Sequence, residues 1–381
     1  MSWNFVQHFS LLGNMVVGII IPFLFVLTII VFFHELGHFL VARWCGIKVL
    51  VFSIGFGPEL VGFNDRHGTR WKVSAIPLGG YVKFFGDDNA ASVPDAQAIA
   101  AMKPDERKVS FFHKSVWARI AVVAAGPVAN FLLAIVIFAT IFTIYGKQEI
   151  TARVNKIVAG SAAEAAGFKP GDLVLSINGS KIDTFRDMQE IVAGKADESL
   201  DFVVERDGTE VKLVAKPRLT EQKDRFGNVY HIGMLGIEAP DRPEDVRTRP
   251  LGPIEAIGEA GKQTWFVVDQ TFRYLGKLIA GRASTQELGG PLRIAQMSGQ
   301  AASLGFTFLM NFAGLISVSI GLLNLFPVPL LDGGHLLFYS IEALRGRPLS
   351  ERVQEVGFRI GFAIIVMLMI FTVWIDVSRW M

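Results

Sequence analysis

Met15-Val-Val-Gly-Ile-Ile-Ile-Pro-Phe-Leu-Phe-Val-Leu-Thr-Ile-Ile-Val-Phe-Phe33 runs without a charge into His34-Glu35-Leu36-Gly37-His38. The apolar run is long enough to cross most of a bilayer as a helix. On a helix, positions i and i+4 differ by about 40° in direction, so His34 and His38 point the same way with Glu35 beside them. This is the HExxH arrangement of zinc peptidases, in which the histidines hold the metal and the Glu acts on metal-bound water. Three ionisable groups at membrane depth are costly and need partners. A soluble peptidase has no reason to place them there, so the junction points to zinc chemistry inside a membrane.

The rest of the chain agrees. Of 381 residues, 51% are apolar, concentrated in blocks, which indicates a membrane protein. The net charge of +2 offers no case for nucleic acid. Cys45 is the only cysteine, which excludes an intrachain disulfide and a Cys-rich zinc site. Four blocks read as spanning helices: Met15–Phe33, about Trp117–Gly146, a stretch within Ile294–Leu331, and Ile360–Ile375, which needs Val356–Phe358 or a snorkelling Arg359 to reach across. No Lys or Arg precedes Arg43, so a cleavable signal peptide is not expected. Arg43, Lys48, Lys114 and Arg119 flank the first two helices, and Arg345, Arg347 and Arg352 follow the third. These connections are expected to be cytoplasmic, with both termini and the segment 147–293 outside.

Residues 46–86 are glycine-rich and weakly alternating, with a turn at Asn64-Asp-Arg-His-Gly68, and read as a β-hairpin or small sheet. Two placements stay open: near the membrane with an edge free for an extended substrate, or a cytosolic hairpin packed on the helices. Residues 87–110 read as a mobile loop. Residues 148–218 read as a compact domain, with strands at Ile150–Val158, Leu173–Asn178, Leu200–Glu205 and Glu210–Lys216 and helices at Ala162–Ala166 and Phe185–Val192. The strand-like His231–Ile237 is a candidate to return to it. Through Pro253–Arg282 the apolar residues Trp265, Val268, Phe272, Leu275 and Ile279 recur at helical steps. That pattern fits an interfacial amphipathic helix, or alternatively a packing helix of the soluble domain.

HExxH supplies two ligands, and a catalytic zinc wants a third. The HExxHxxGxxH pattern fails at Val41 and Trp44. Glu59 lies 21 residues beyond His38 but in Gly57-Pro-Glu-Leu60, not in a helical acidic motif. Asp332, in Asn324-Leu-Phe-Pro-Val-Pro-Leu-Leu-Asp-Gly-Gly334, is the stronger candidate, because a lone Asp ending an uncharged span needs a metal or a partner. Pro327 and Pro329 prevent a regular helix there. Asn324 is either a donor to a developing oxyanion or an interhelical packing residue. His335 reads as a residue flanking the interface.

The stretch Gly160-Ser-Ala-Ala-Glu-Ala-Ala-Gly-Phe-Lys-Pro-Gly-Asp-Leu-Val-Leu-Ser-Ile-Asn-Gly179 resembles a bacterial, circularly permuted PDZ domain. HExxH on the first span, Gly126-Pro-Val-Ala-Asn-Phe131 on the second, Leu288-Gly-Gly-Pro291, and NxxPxPxxDGG together resemble the site-2 protease family, of the bacterial regulator-of-sigma-E protease type. The resemblance implies that His34, His38 and Asp332 bind zinc and that Glu35 is the general base. Asn324 would contact the substrate or stabilise the intermediate, and the segment containing Gly79 and Gly80 would guide an extended substrate, with Pro327 and Pro329 beside it. It also implies a bacterial inner-membrane, multi-pass protein with a periplasmic PDZ domain. The expected substrate is a single-pass membrane protein already cut outside, such as an anti-sigma factor, or a signal-peptide remnant. Enterobacterial members carry two tandem PDZ domains, whereas one is legible here.

The expected fold is thus a multi-pass α-helical membrane protein: four transmembrane helices, a membrane-associated β-hairpin or sheet, and one inserted α+β PDZ domain. Its expected divisions are 1–146 with the HExxH helix and β-segment, 147–240 with the PDZ domain, 241–293 with the amphipathic helix, and 294–381 with the second helix pair. A non-catalytic PDZ-containing membrane adaptor with a residual metal site is the rival reading, and an intact Glu35 argues against it.

Overall fold

The computed structural model describes residues 16–86, 101–223, 229–240, 245–279 and 289–378. These fall into two compact units, one within Met1–Thr140, Ile257–Phe272 and Gln286–Met381, the other within Ile141–Ala256 and Arg273–Thr285.

In the first unit a π-helical turn, Val16–Ile20, leads into α1 (Ile21–Trp44). Pro22 occupies the first turn, where its missing N–H costs nothing. The helix stops at Cys45, followed by Gly46 at φ +67°. β1 (Val49–Asn64) and β2 (Arg70–Phe84) come next. They do not make a plain hairpin. Bends at Gly55, Gly57 and Gly79 divide each strand, so that Val51–Ile54 faces Arg70–Val73 on one side and Gly80–Lys83 on the other. β1 and β2 form a two-stranded sheet, with Gly80–Val82 at its edge.

This sheet packs on α1 through aromatic rings. Phe52 stacks on Trp71 with ring centroids 4.2 Å apart, and Phe39 of α1 meets both rings edge-on. Phe52 is fully buried, and truncating such a residue to Ala costs about 3–5 kcal/mol. Arg43 holds Asp65 at 3.0 Å and lies over the Phe39 ring, tying the turn to the helix end.

Of the stretch read as a loop, residues 87–100 lie outside the described residues. The remainder contains α2 (Pro104–Val109), with Pro at its start, acids in its first turn and bases in its last, which is the charge order a helix favours. α3 (Val116–Tyr145) carries Pro127 in its interior, which removes the hydrogen bond that the Val123 carbonyl would receive.

The second unit is built from short strands and two helices. They are β3 (Lys147–Ile150), β4 (Lys156–Ile157), α4 (Ala162–Ala165), β5 (Leu173–Ile177), β6 (Ser180–Lys181), α5 (Phe185–Gly194), β7 (Leu200–Arg206), β8 (Thr209–Ala215), β9 (Arg218–Lys223), β10 (Val229–Met234), β11 (Ile237–Glu238) and β12 (Val246–Arg249). The main sheet has the order β6-β5-β7-β8. Its core gathers Val174, Ile177, Leu200, Phe202 and Val204 with Met188 of α5 and Phe168. α5 begins with a reciprocal Thr184–Asp187 capping box. The strand expected at Ile150–Val158 is interrupted, because β3 pairs with β12 whereas β4 pairs with β11. The segment around His231 does return here, as β10 paired with β9.

Beyond it come α6 (Pro253–Ile279), α7 (Pro291–Leu304), α8 (Phe306–Asn324), α9 (Asp332–Arg345) and α10 (Glu351–Ser378). The span expected within Ile294–Leu331 is α8, set off from α7 at Gly305, whose φ is +120°. After α8, the segment 325–331 is irregular, as Pro327 and Pro329 require. The last helix is longer than Ile360–Ile375. Arg359, paired with Glu355 at 2.6 Å, lies within it. Buried Asp376 of α10 accepts from the Gly290 and Arg293 amides at 3.1 and 3.2 Å, capping α7. Four helical stretches among the described residues are long and apolar enough to cross a membrane: Val17–Trp44, Val116–Tyr145, Phe306–Asn324 and Arg352–Ser378.

Candidate metal centre

His34 and His38 face the same way from α1, with ring centroids 4.8 Å apart, and Asp332 meets them at the first residue of α9. A carboxylate at that position is favoured by the helix dipole. His34 Nε2 lies 3.2 Å from Asp332 Oδ2, and His38 Nε2 lies 3.5 Å from Asp332 Oδ1. The three ligand atoms lie within 4.8 Å of one another.

The donor set fits a cation. His38 Nδ1 lies 2.8 Å from the Val122 carbonyl, which only accepts, so Nδ1 carries the proton and Nε2 presents a lone pair. That lone pair points at His34 Nε2, 3.3 Å away. Asp332 Oδ2 is buried and makes no hydrogen bond. A lone pair on His38 Nε2, a buried carboxylate oxygen and a second imidazole nitrogen converging on one point are what a metal ion satisfies, and histidine nitrogens with a carboxylate suit zinc.

Glu35 is buried beside this cluster, and together they line a cavity of about 200 Å³. Gly80 brings β2 against Glu35. A Cβ there would lie 2.9 Å from Glu35 Cγ and 2.8 Å from the Ser53 carbonyl oxygen. Gly126 does the same for α3, since its Cβ would lie 2.2 Å from His38 Nε2. Leu330, also lining the cavity, has φ +85°, a strained conformation for a branched residue, two positions before Asp332.

Asn324 lines the same cavity, as does Gly80, whereas Gly79, Pro327 and Pro329 do not. The prolines act through the backbone, by ending α8 ahead of Asp332. Glu59 is on the sheet, paired with Arg70, whose Nε lies 3.3 Å from Glu59 Oε2. Arg70 holds the Glu59 carboxyl below its ordinary range. His335, expected at the interface, instead lines the cavity one turn after Asp332, its ring 5.4 Å from that of Phe358. The i, i+3 spacing from Asp332 was the signal for it. Asn130 was visible only as part of a motif, yet its amide Nδ2 lies 3.2 Å from His34 Nδ1.

Two imidazoles, a carboxylate from a distant helix and an adjacent buried Glu define the centre of a metal-dependent peptidase. The chain belongs to peptidase family M50, whose model matches residues 22–368. It is 51% identical over 356 residues to a protein of Rhizobium meliloti named "putative zinc metalloprotease", covering 93% of this chain and 95% of that one. It is 40% identical over 383 residues to "Metalloprotease MmpA" of Caulobacter vibrioides, covering 95% and 96%. Among solved structures, the PDZ domain of the SdrC-like protein from Listeria monocytogenes is similar at 18% identity and a TM-score of 0.19, covering 23% of this chain and 86% of that one.

Proposed function

We propose that this chain is an intramembrane zinc metalloprotease that cuts single-pass membrane proteins within or near their transmembrane segment. Its substrates are an anti-sigma factor or a signal-peptide remnant already cleaved outside, and the product is a fragment released to the cytoplasm. The observation that carries this reading is the His34–His38–Asp332 cluster, with Glu35 beside it, on helices apolar enough to cross a membrane. His34, His38 and Asp332 would hold zinc. When bound, the metal supplies Lewis acidity toward the scissile carbonyl and lowers the pKa of a water.

Glu35 Oε takes the proton from the attacking water and delivers it to the leaving amine. Asn324 donates its side-chain amide to the carbonyl oxygen as charge develops there. A helical substrate hides its carbonyls in i→i−4 bonds and must unwind. The edge of β2 at Gly80–Val82 offers replacement hydrogen bonds to the extended segment and sets it beside Glu35. The second unit serves as a PDZ domain on the periplasmic side of a bacterial inner membrane, where it binds a new terminus or excludes untrimmed proteins.

α6 lies on the membrane surface in this reading. It leaves Ile257, Trp265 and Phe272 exposed along one stripe while Ala256, Ala260 and Thr264 are buried along another.

The test is Glu35→Gln in the full chain, with a single-pass substrate in detergent or proteoliposomes. Zinc content is expected to stay at the wild-type level while cleavage disappears. Persistent cleavage would remove Glu35 from its role.

A further inference from the structure

We infer that Asn130 is a positioning residue that presents His34 to the metal, its amide oxygen accepting the proton on Nδ1 so that Nε2 is free to ligate. This rests on the zinc reading of the site. Asn130 is fully buried on α3, and it does not line the cavity, so it meets the site only through His34. Its Nδ2 position lies 3.2 Å from His34 Nδ1, while Oδ1 finds no partner.

The two ends of a side-chain amide have the same shape, and the hydrogen-bond network decides which is oxygen. With nitrogen toward the ring, Nδ1 accepts and the proton sits on Nε2, aimed at Asp332 Oδ2 only 3.2 Å away and useless to a cation. With oxygen toward the ring, Nδ1 donates and Nε2 presents its lone pair. As placed, Oδ1 has no partner that would fix the amide this way round, so the requirement at Nε2 decides. His38 already shows the same solution, with its Nδ1 proton given to the Val122 carbonyl.

The neighbours meet the backbone and Cβ of Asn130 rather than its amide. Ser317 Oγ on α8, fully buried, donates to the Asn130 backbone carbonyl at 2.8 Å. Gly321 lies so close that a Cβ there would be 3.1 Å from Asn130 Cβ. A ligating histidine fixed by a buried acceptor binds metal about 10–100-fold more tightly than one left free.

The experiment is zinc titration of the full-length, detergent-purified protein against a competing chelator, for wild type, Asn130→Leu, Asn130→Asp and Ser317→Ala, with melting of each metal-free form. Asn130→Leu is expected to weaken zinc binding about 10–100-fold. Asn130→Asp, which keeps the acceptor, is expected to hold zinc about as tightly as wild type. Ser317→Ala, which removes only the packing hydrogen bond, is expected to leave affinity unchanged. Wild-type affinity in Asn130→Leu would overturn the assignment, as would equal losses in Asn130→Leu and Asn130→Asp. A Ser317→Ala loss matching Asn130→Leu would reduce the effect to packing and overturn it too. A wild-type protein that binds no zinc would instead overturn the metal centre itself.

Discussion

Gly126 lies directly opposite His38, so close that a Cβ on it would stand 2.2 Å from Nε2 and 2.5 Å from Cε1 of that ring. The neighbour is a ligand held at its other nitrogen by Val122, so it has nowhere to retreat. Gly126→Ala is therefore expected to weaken zinc binding on the order of 100-fold and to abolish cleavage. Chelator competition on the purified variant measures the first effect and substrate processing the second. Unchanged affinity would mean that the α1–α3 contact relaxes freely.

Asp332 and Glu59 make opposite forecasts. Asp332→Ala removes one of three converging ligands and is expected to strip zinc from the purified protein. Glu59→Ala loses only its pairing with exposed Arg70 and is expected to leave metal content and activity unchanged. Elemental content of the two variants decides. Metal lost from Glu59→Ala alone would move the site to the sheet.

Arg119 of α3 reaches Glu342 of α9 through two hydrogen bonds of 3.1 and 2.5 Å and lies over the Tyr339 ring. Both side chains are nearly buried, at 10% and 15% exposure, so breaking one partner leaves an unpaired charge. Arg119→Ala or Glu342→Ala is expected to cost about 3–5 kcal/mol, and Arg119→Met with Glu342→Leu to recover much of it. Hydrogen exchange of α9 amides reads the effect locally. Additive losses in the double variant would dissolve the pairing argument.

Acid should loosen the second unit. Burial opposes ionisation of Asp172, yet Arg206, at 2.8 Å, and the Lys169 amide hold its carboxyl below the usual range. The folded pKa lies under the unfolded value of about 3.9. The stabilisation is therefore complete above that value and is lost as pH falls through the folded one. Asp172→Ala is expected to cost about 2–3 kcal/mol at neutral pH and to flatten the acid limb. Amide exchange of β5 and β7 in the full chain, followed from pH 7 downward, tests the sign. A wild-type unit growing more stable on acidification would refute it.

Much of the site is legible before any coordinates, for one reason. Charges and amides are expensive in apolar runs, so His34, Glu35, His38, Asn324 and Asp332 stand out against uncharged surroundings. Elements governed by local rules also read well, among them α5 with its capping box and the irregular segment around Pro327 and Pro329. What escapes is set by distant partners. The double pairing of Val51–Ile54 depends on bends at three glycines that periodicity does not register. The break at Gly305 hides inside a long uncharged stretch. Asn130 and His335 resemble ordinary packing and interface residues until His34 and the cavity are placed beside them.

β3 and β12, the first and last strands of the inserted unit, pair with each other, Lys147 opposite Arg249 and Ile150 opposite Val246. The chain leaves for the insertion and comes back at neighbouring points, and every residue of the metal centre lies outside that interval. A tight turn joining Lys147 to Arg249 would close the gap as any two-strand connection does. A chain that joined those two points directly would keep all three metal-site residues, so the stretch 148–248 and the metal centre answer to separate parts of the sequence.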